Sequence, residues 1–287
     1  MFDPNTVLRG FSRALYANWL LYKPLRILID CGEGCATDLD GAVSSVERVF
    51  LTHGHIDHVG GLPTLLWTRA AGGVIPKSLE IFHSSDDPFM GPLFAYVEGV
   101  RELLPFPIEW KPLHPGSRVE LRPGWMLEAF PTRHLSQGQS LGYRLLEQRT
   151  RIKPEFAGLT QNEISALAAR DELDDKKEAF EFLRVAFCGD SLPVDTAHVA
   201  GAELLVHEAT IFEGEGEKPG QNHSSLADAL EVATRAKPKA LLLNHLSRHH
   251  SRVEIETAIR SYASKKEVVA SVWMLLGDQI LQVDTST

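Results

Sequence analysis

The segment Thr52-His53-Gly54-His55-Ile56-Asp57-His58-Val59-Gly60-Gly61 constrains this chain more than any other part of it. Four metal-ligand side chains fall within six positions, directly after the apolar run Val49-Phe50-Leu51. His53 and His55 stand two apart, so on an extended backbone both point to one side and can share an ion. Asp57 and His58 follow where the chain turns into a helix-like pattern, and can face a second ion. A single histidine after a strand is more often a hydrogen-bonded surface or core residue than a ligand. Three imidazoles and a carboxylate set between small residues are instead the donor set of a dinuclear site for zinc or manganese.

Three distant residues share that context. His134 follows Leu127-Glu128-Ala129-Phe130, Asp190 follows Val185-Ala186-Phe187-Cys188-Gly189, and His245 follows Leu241-Leu242-Leu243-Asn244. Each stands just past an apolar, strand-like run, and the ends of neighbouring strands lie on one rim of a sheet, where sites assemble from several strands. The runs at 25–30, 46–52, 79–82, 126–131, 141–146, 184–188, 203–206, 240–243 and 272–276 read as strands. Apolar residues at three- and four-residue intervals predict helices over 63–71, 224–236 and 253–265. The mixture predicts one layered α/β domain over 1–287.

The segment 148–182 is the most charged, and Thr160-Gln161-Asn162-Glu163 has the form of a capping box ahead of Ile164, Leu167 and Ala168. It predicts a helical insertion at about 149–183. The glycine-rich stretch 212–220 predicts a mobile loop.

Charge and cysteine usage narrow the function classes. A net charge of −9 excludes a broad, non-specific grip on nucleic-acid phosphates, which needs many cations on one face. No apolar run approaches the roughly 20 residues needed to span a bilayer, and the first residues carry no basic and apolar leader pattern, so the expected location is the cytoplasm. Three cysteines, Cys31, Cys35 and Cys188, are too few for a disulfide framework and suit a reducing compartment.

Together these pieces resemble the metallo-β-lactamase superfamily and, within it, the ribonuclease Z-like branch. The resemblance rests on Ile29-Asp30-Cys31-Gly32-Glu33-Gly34, the motif from His53 to His58, His134-Leu135-Ser136, Gly142-Tyr143-Arg144, Gly189-Asp190-Ser191, His207-Glu208-Ala209-Thr210, His223-Ser224 and His245-Leu246-Ser247-Arg248. It implies a four-layer αββα sandwich and two divalent ions, with zinc the first expectation and manganese or iron alternatives. His53, His55 and His134 would hold one ion, Asp57, His58 and His245 the other, and Asp190 would bridge them. A homodimer is implied by the resemblance alone.

The chemistry so implied is hydrolysis of a phosphodiester, possible substrates including RNA, by a hydroxide bridging the two ions. Asp57 would orient the water, while Glu208 and His223 would deliver a proton to the leaving oxygen, the carboxylate holding the imidazole's tautomer. Arg248 and His249 are candidate substrate-binding residues, against the alternative of a solvated face. Glu33 is a candidate for orienting a ligand histidine. His83, His114 and His198 lack the strand-end context and are read as bystanders. Two departures from the branch stand out: residues 1–22 lack its glycine-containing opening turn, and 149–184 is short, helical and partly acidic where the branch has a long arm for the tRNA elbow. Two rival readings stay open, a thioesterase or lactonase on the same site and a non-catalytic metal-binding scaffold.

Overall fold

The computed structural model describes residues 2–72, 77–212, 222–264 and 271–285. Among them, fourteen strands form two sheets. One has the order β1-β2-β3-β4-β5-β6: β1 (Leu8–Arg13), β2 (Ala17–Tyr22), β3 (Ile27–Ile29), β4 (Arg48–Phe50), β5 (Leu79–Ser84) and β6 (Ile108–Leu113). The other runs β14-β13-β12-β11-β10-β9-β8-β7: β7 (Arg118–Arg122), β8 (Trp125–Thr132), β9 (Ser140–Ile152), β10 (Lys177–Phe187), β11 (Leu204–Glu208), β12 (Ala240–Asn244), β13 (Ser271–Leu276) and β14 (Gln279–Val283).

The core divides into three apolar layers, and this makes the molecule a four-layer αββα sandwich. Phe50, Phe82, Tyr143, Phe187 and Trp273 pack between the inner faces of the two sheets, with Phe50 and Phe82 stacked at 4.4 Å. The helix Leu62–Ala71 covers the outer face of the first sheet through Leu62, Leu65 and Leu66. The helices Leu226–Ala236 and Arg252–Ala263 cover the second through Leu230, Ala233, Ile255 and Ile259. Both of these start with a serine capping box, Ser225 with Asp228 and Ser251 with Glu254, which satisfies amide groups a bare helix end leaves unpaired. Strands β3 to β6 are parallel, as are β10 to β13. Parallel strands covered on both faces are buried throughout, so they read as unbroken apolar runs.

The two sheets also hold strands that apolar runs alone do not reveal, namely β1, β2, β6, β7 and β14. Strand β2 is Ala-Asn-Trp-Leu-Leu-Tyr, buried at every position; a polar Asn18 in its second place interrupts the pattern but is hydrogen-bonded inside the protein.

The charged segment 149–183 differs from the expected helical insertion. Strands β9 and β10 continue through it as an antiparallel hairpin, pairing Arg151 with Glu178 and Arg149 with Phe180. Between them α-helix is confined to Gln161–Ala169, which opens with the expected Thr160–Glu163 capping box, with single 3-10 turns at Pro154–Phe156 and Asp174–Lys176. The reason is the period: Phe180 and Phe182 alternate with polar residues and put both rings on one face of the strand. Arg149 lies 3.8 Å from the Phe182 ring and Arg151 4.9 Å from that of Phe180. Of the expected loop at 212–220, residues 213–220 lie outside the described residues.

Candidate metal centre

All seven sequence-predicted ligands meet at one rim, where β4, β8, β10 and β12 end. The candidate donor atoms of His53, His55 and His134 lie within 4.8 Å of one another, as do those of Asp57, His58, Asp190 and His245. The motif achieves this by changing conformation in its middle. Thr52 to His55 is extended, and the short helix Ile56–Val59 then turns Asp57 and His58 inward, both buried. Asp190 sits between the two groups. Its Oδ2 is 3.2 Å from His58 Nε2, 3.3 Å from His245 Nε2 and 4.0 Å from His134 Nε2. Asp57 Oδ2 is 3.3 Å from His245 Nε2.

The fit to metal ions can be tested on the protein's own hydrogen bonds. A ligand imidazole needs one bare nitrogen facing the ion, with the other nitrogen's proton occupied elsewhere. His58 Nδ1 bonds Asp30 Oδ2 at 2.7 Å. His53 Nδ1 bonds Thr52 Oγ1 at 3.1 Å, His134 Nδ1 the Asn222 carbonyl at 2.9 Å, and His245 Nδ1 Thr210 Oγ1 at 2.9 Å. In each case Nε2 is left for the centre. His53 Nε2, His58 Nε2 and Asp190 Oδ1 are buried and make no hydrogen bond. Buried polar atoms of this kind carry a desolvation cost of about 1–3 kcal/mol each unless something binds them. His55 Nδ1 and His134 Nε2 approach to 3.0 Å, a distance two lone pairs tolerate only with a proton or cation between them. The residues therefore fit a pair of cations.

Electrostatics point the same way. Burial first, and the neighbouring His58 second, push His53 well below the ordinary imidazole value. Burial likewise lowers His134. Both are thus neutral, the form a metal ion takes. For Asp190, burial works against ionisation, but His245 and His58 outweigh it and hold the carboxyl well below its ordinary value.

Glu208 and His223 come together beside this cluster. Glu208 is fully buried at the end of β11 and receives the Ser191 amide at 2.6 Å, the Thr210 hydroxyl at 2.5 Å and His223 Nδ1 at 2.9 Å. The His223 ring packs at 4.7 Å from that of His134 and 5.4 Å from that of His245. Burial alone would lower His223, but the Glu208 hydrogen bond and charge, with Asp190, push it up to about 9.

One expectation shifts. Glu33 is exposed, and Asp30 orients the ligands in its place. Asp30 has φ +59, a left-handed conformation rare for a side-chain-bearing residue, and this turns its carboxylate into the sheet end. There it receives the Thr52 amide at 2.7 Å, Asn18 Nδ2 at 3.1 Å and His58, with no exposure at all. Asn18, Thr52, Ser12 and Thr210 complete this supporting layer; Thr52 and Thr210 lie inside the quoted motifs without an assigned role, whereas Ser12 and Asn18 belong to no local motif that sequence reasoning could find. Ser12 Oγ receives the His245 amide at 2.7 Å, which holds a ligand at φ +54. Arg248 and His249 are exposed at the rim, Arg248 bonded to the Tyr16 hydroxyl and lying 5.4 Å from its ring. His83, His114 and His198 lie outside the ligand groups among the described residues.

Comparison with known proteins agrees with this geometry. Residues 23–138 match the family model of the metallo-beta-lactamase superfamily. The chain is 31% identical over 270 residues to the ribonuclease Z of Gemmatimonas aurantiaca, covering 86% of this chain and 83% of that protein. It is 29% identical over 285 residues to the ribonuclease Z of Ignicoccus hospitalis, covering 88% and 91%. Among solved structures, the short form of human tRNase Z is similar with a TM-score of 0.66 over 96% of this chain and 99% of that one, at 18% identity.

Proposed function

The chain belongs to the ribonuclease Z family of the metallo-β-lactamase superfamily and is a metal-dependent, ribonuclease Z-like phosphodiesterase, and on that premise we propose how its residues divide the work. His53, His55 and His134 would hold one divalent ion, zinc by preference, and Asp57, His58 and His245 a second, with Asp190 placed between the two groups. When bound, the ions supply Lewis-acid activation of water and neutralise charge on the phosphoryl group.

The protein's own groups do the rest. Asp57, its carboxylate at the edge of the ligand cluster, orients the attacking water. His223 protonates the leaving oxygen from Nε2, because Nδ1 is tied to Glu208 at 2.9 Å. Glu208 keeps that tautomer by accepting from Nδ1, its other contacts to Ser191 and Thr210 locking its position. Arg248 and His249, exposed at the rim, meet the substrate's outer phosphates. The supporting residues Asp30, Thr52 and Thr210 aim the ligand nitrogens and take no part in bond making.

The observation that carries this reading is the Glu208–His223 pair, a fully buried carboxylate holding a half-buried imidazole against the ligand cluster. An alkoxide leaving from a phosphodiester needs a proton, whereas a thiolate leaving from an acyl group has less need of one. RNA is the substrate class, and the cytoplasm the compartment, in which the three buried free cysteines stay reduced. A homodimer is supported by the family resemblance alone. Zinc-loaded protein should hydrolyse bis(p-nitrophenyl) phosphate well above its rate on a thioester or a lactone. Preference for either acyl substrate would overturn the reading.

A further inference from the structure

An apolar cleft of about 400 Å³ opens on the far side of His55 from the other ligands. Its walls are Phe89, Tyr96, Pro63, Pro92, Ile56 and the His55 ring itself. Phe89 is the shared edge between cleft and metal centre. Its ring meets that of His55 edge-on, centroids 4.7 Å apart and planes at 73°, and yet 44% of it is exposed. Ile56, inside the metal motif, is 77% exposed on the same side.

Phe89 is held rigidly there. One Asp87 oxygen receives the Phe89 amide at 2.9 Å, and the other receives the Gly54 amide, between His53 and His55, at 2.7 Å. Gly54 packs so closely that a Cβ on it would lie 2.9 Å from Phe89 Cβ. The ligand strand and the aromatic ring therefore form one unit. Tyr96 is fixed on the opposite wall, its hydroxyl accepting the Trp67 indole N–H at 2.9 Å. A preset, half-exposed ring beside a ligand costs solvation that a purely structural phenylalanine would avoid by turning inward.

We infer that this cleft is a stacking subsite for the nucleobase next to the scissile phosphodiester, with Phe89 as its platform; the inference rests on the phosphodiesterase reading above. No Lys, Arg or acidic side chain lines the cleft, so it offers nothing to a phosphate and suits the flat, uncharged part of a nucleotide. It adjoins the metal centre through His55, so whatever lies in it is within one nucleotide of the reacting bond. Stacking on aromatic faces is tolerant of base identity, and the subsite would accept any base rather than read a sequence.

The test compares the dinucleoside phosphate UpU with its two analogues in which one uracil or the other is replaced by hydrogen. Wild-type enzyme should lose about 5- to 150-fold in kcat/KM on one of the two analogues, the range that stacking of one base supplies. Phe89→Ala should lose a similar factor on UpU and nothing further on that analogue, with its metal content unchanged, while Phe89→Trp keeps the wild-type preference. Tyr96→Ala, on the opposite wall of the cleft, should show a weaker form of the same pattern. Equal rates on UpU and both analogues, or an equal loss for Phe89→Ala on all three, would overturn the subsite while leaving the hydrolase reading intact. A wild type that cleaves none of the three would take down that reading and the inference with it. Sedimentation showing this face covered by a second copy of the chain, with Phe89→Ala and Tyr96→Ala becoming monomeric, would assign the patch to an interface instead.

Discussion

Asp30 and His58 share a 2.7 Å hydrogen bond in which neither side chain has any solvent exposure. Two strand ends are locked together by it, because Asp30 follows β3 and His58 stands in the helix after β4. The bond fixes which imidazole nitrogen faces the metal centre. It also commits a buried carboxylate whose remaining lone pairs are taken by Thr52 and Asn18. Burial would lower His58, but Asp190 and Asp30 outweigh it and raise it well above the ordinary value in the metal-free protein.

From this bond follows the first prediction. Protein purified without chelator should hold two transition-metal ions per chain, and Asp30→Ala should weaken metal affinity by roughly 10- to 100-fold, as loss of a ligand-orienting partner does. Glu33→Gln should leave affinity unchanged. Elemental analysis with competitive chelator titration reads both. Asp190→Ala, which removes the carboxylate nearest both groups, should release more metal than His53→Ala, and a chain that takes up no ion at all would refute the centre.

Proton delivery separates from metal binding in the second. Glu208→Gln and His223→Ala should keep both ions yet lower turnover on a ribose 3′-alkoxide leaving group by roughly 10² to 10⁴-fold. On bis(p-nitrophenyl) phosphate the same variants should lose far less, since p-nitrophenolate departs with little help. Equal losses on the two substrates would reassign the pair to positioning of Ser191 and Thr210.

The hairpin extension of β9 and β10 should bind tRNA weakly. Several arginines along it and at its base are already paired with carboxylates: Arg149 with Glu147 and Arg151 with Glu178, both at 2.7 Å, and Arg184 with Glu203 at 2.5 Å. Phosphates must displace these partners, so any binding should be steeply salt-dependent. Removing residues 155–175 should leave cleavage of UpU intact. Efficient, site-selective removal of a tRNA 3′ trailer at physiological salt, lost in the shortened protein, would show that the extension is a tRNA-gripping arm after all.

Acid should destabilise the fold through two histidines outside the ligand set. Burial is the main cause holding both His83 and His207 below 6.5. The unfolded chain therefore binds more protons, and the stability each contributes is complete above pH 6.5 and is lost as pH falls through the lower folded value. The slope has a ceiling of about 1.4 kcal/mol per pH unit per group. Urea midpoints of metal-loaded protein should fall between pH 7 and pH 5, and less so in His83→Asn, whose amide can keep the bond to the Ser84 carbonyl. Parallel curves for wild type and variant would exclude His83 as a source.

The amino-acid sequence by itself determined the candidate ligand set and the layered α/β class. His53, His55, Asp57 and His58 are legible because their roles depend on local geometry, a two-residue period followed by a helical turn. His134, Asp190 and His245 are legible because a strand end is visible as the end of an apolar run, and Glu208 with His223 because they match a known family pattern. Tertiary structure alone decided what aims those groups. Asp30 replaced Glu33 as the orienting carboxylate through a left-handed backbone angle three residues earlier in the chain. Asn18 and Ser12 reach the centre only because β1 and β2 join the sheet edge, although β2 carries no alternation to mark it. Phe89 meets His55 across 34 positions because β4 and β5 pair in parallel and bring their ends together, and the charged segment became a hairpin because Phe180 and Phe182 share one face of β10 with Arg149 and Arg151 of β9 lying over their rings. Donor chemistry is a property of single residues and short spacings, whereas orientation is set by contacts between segments far apart in the chain, and those exist only once the two sheets have closed over their shared core.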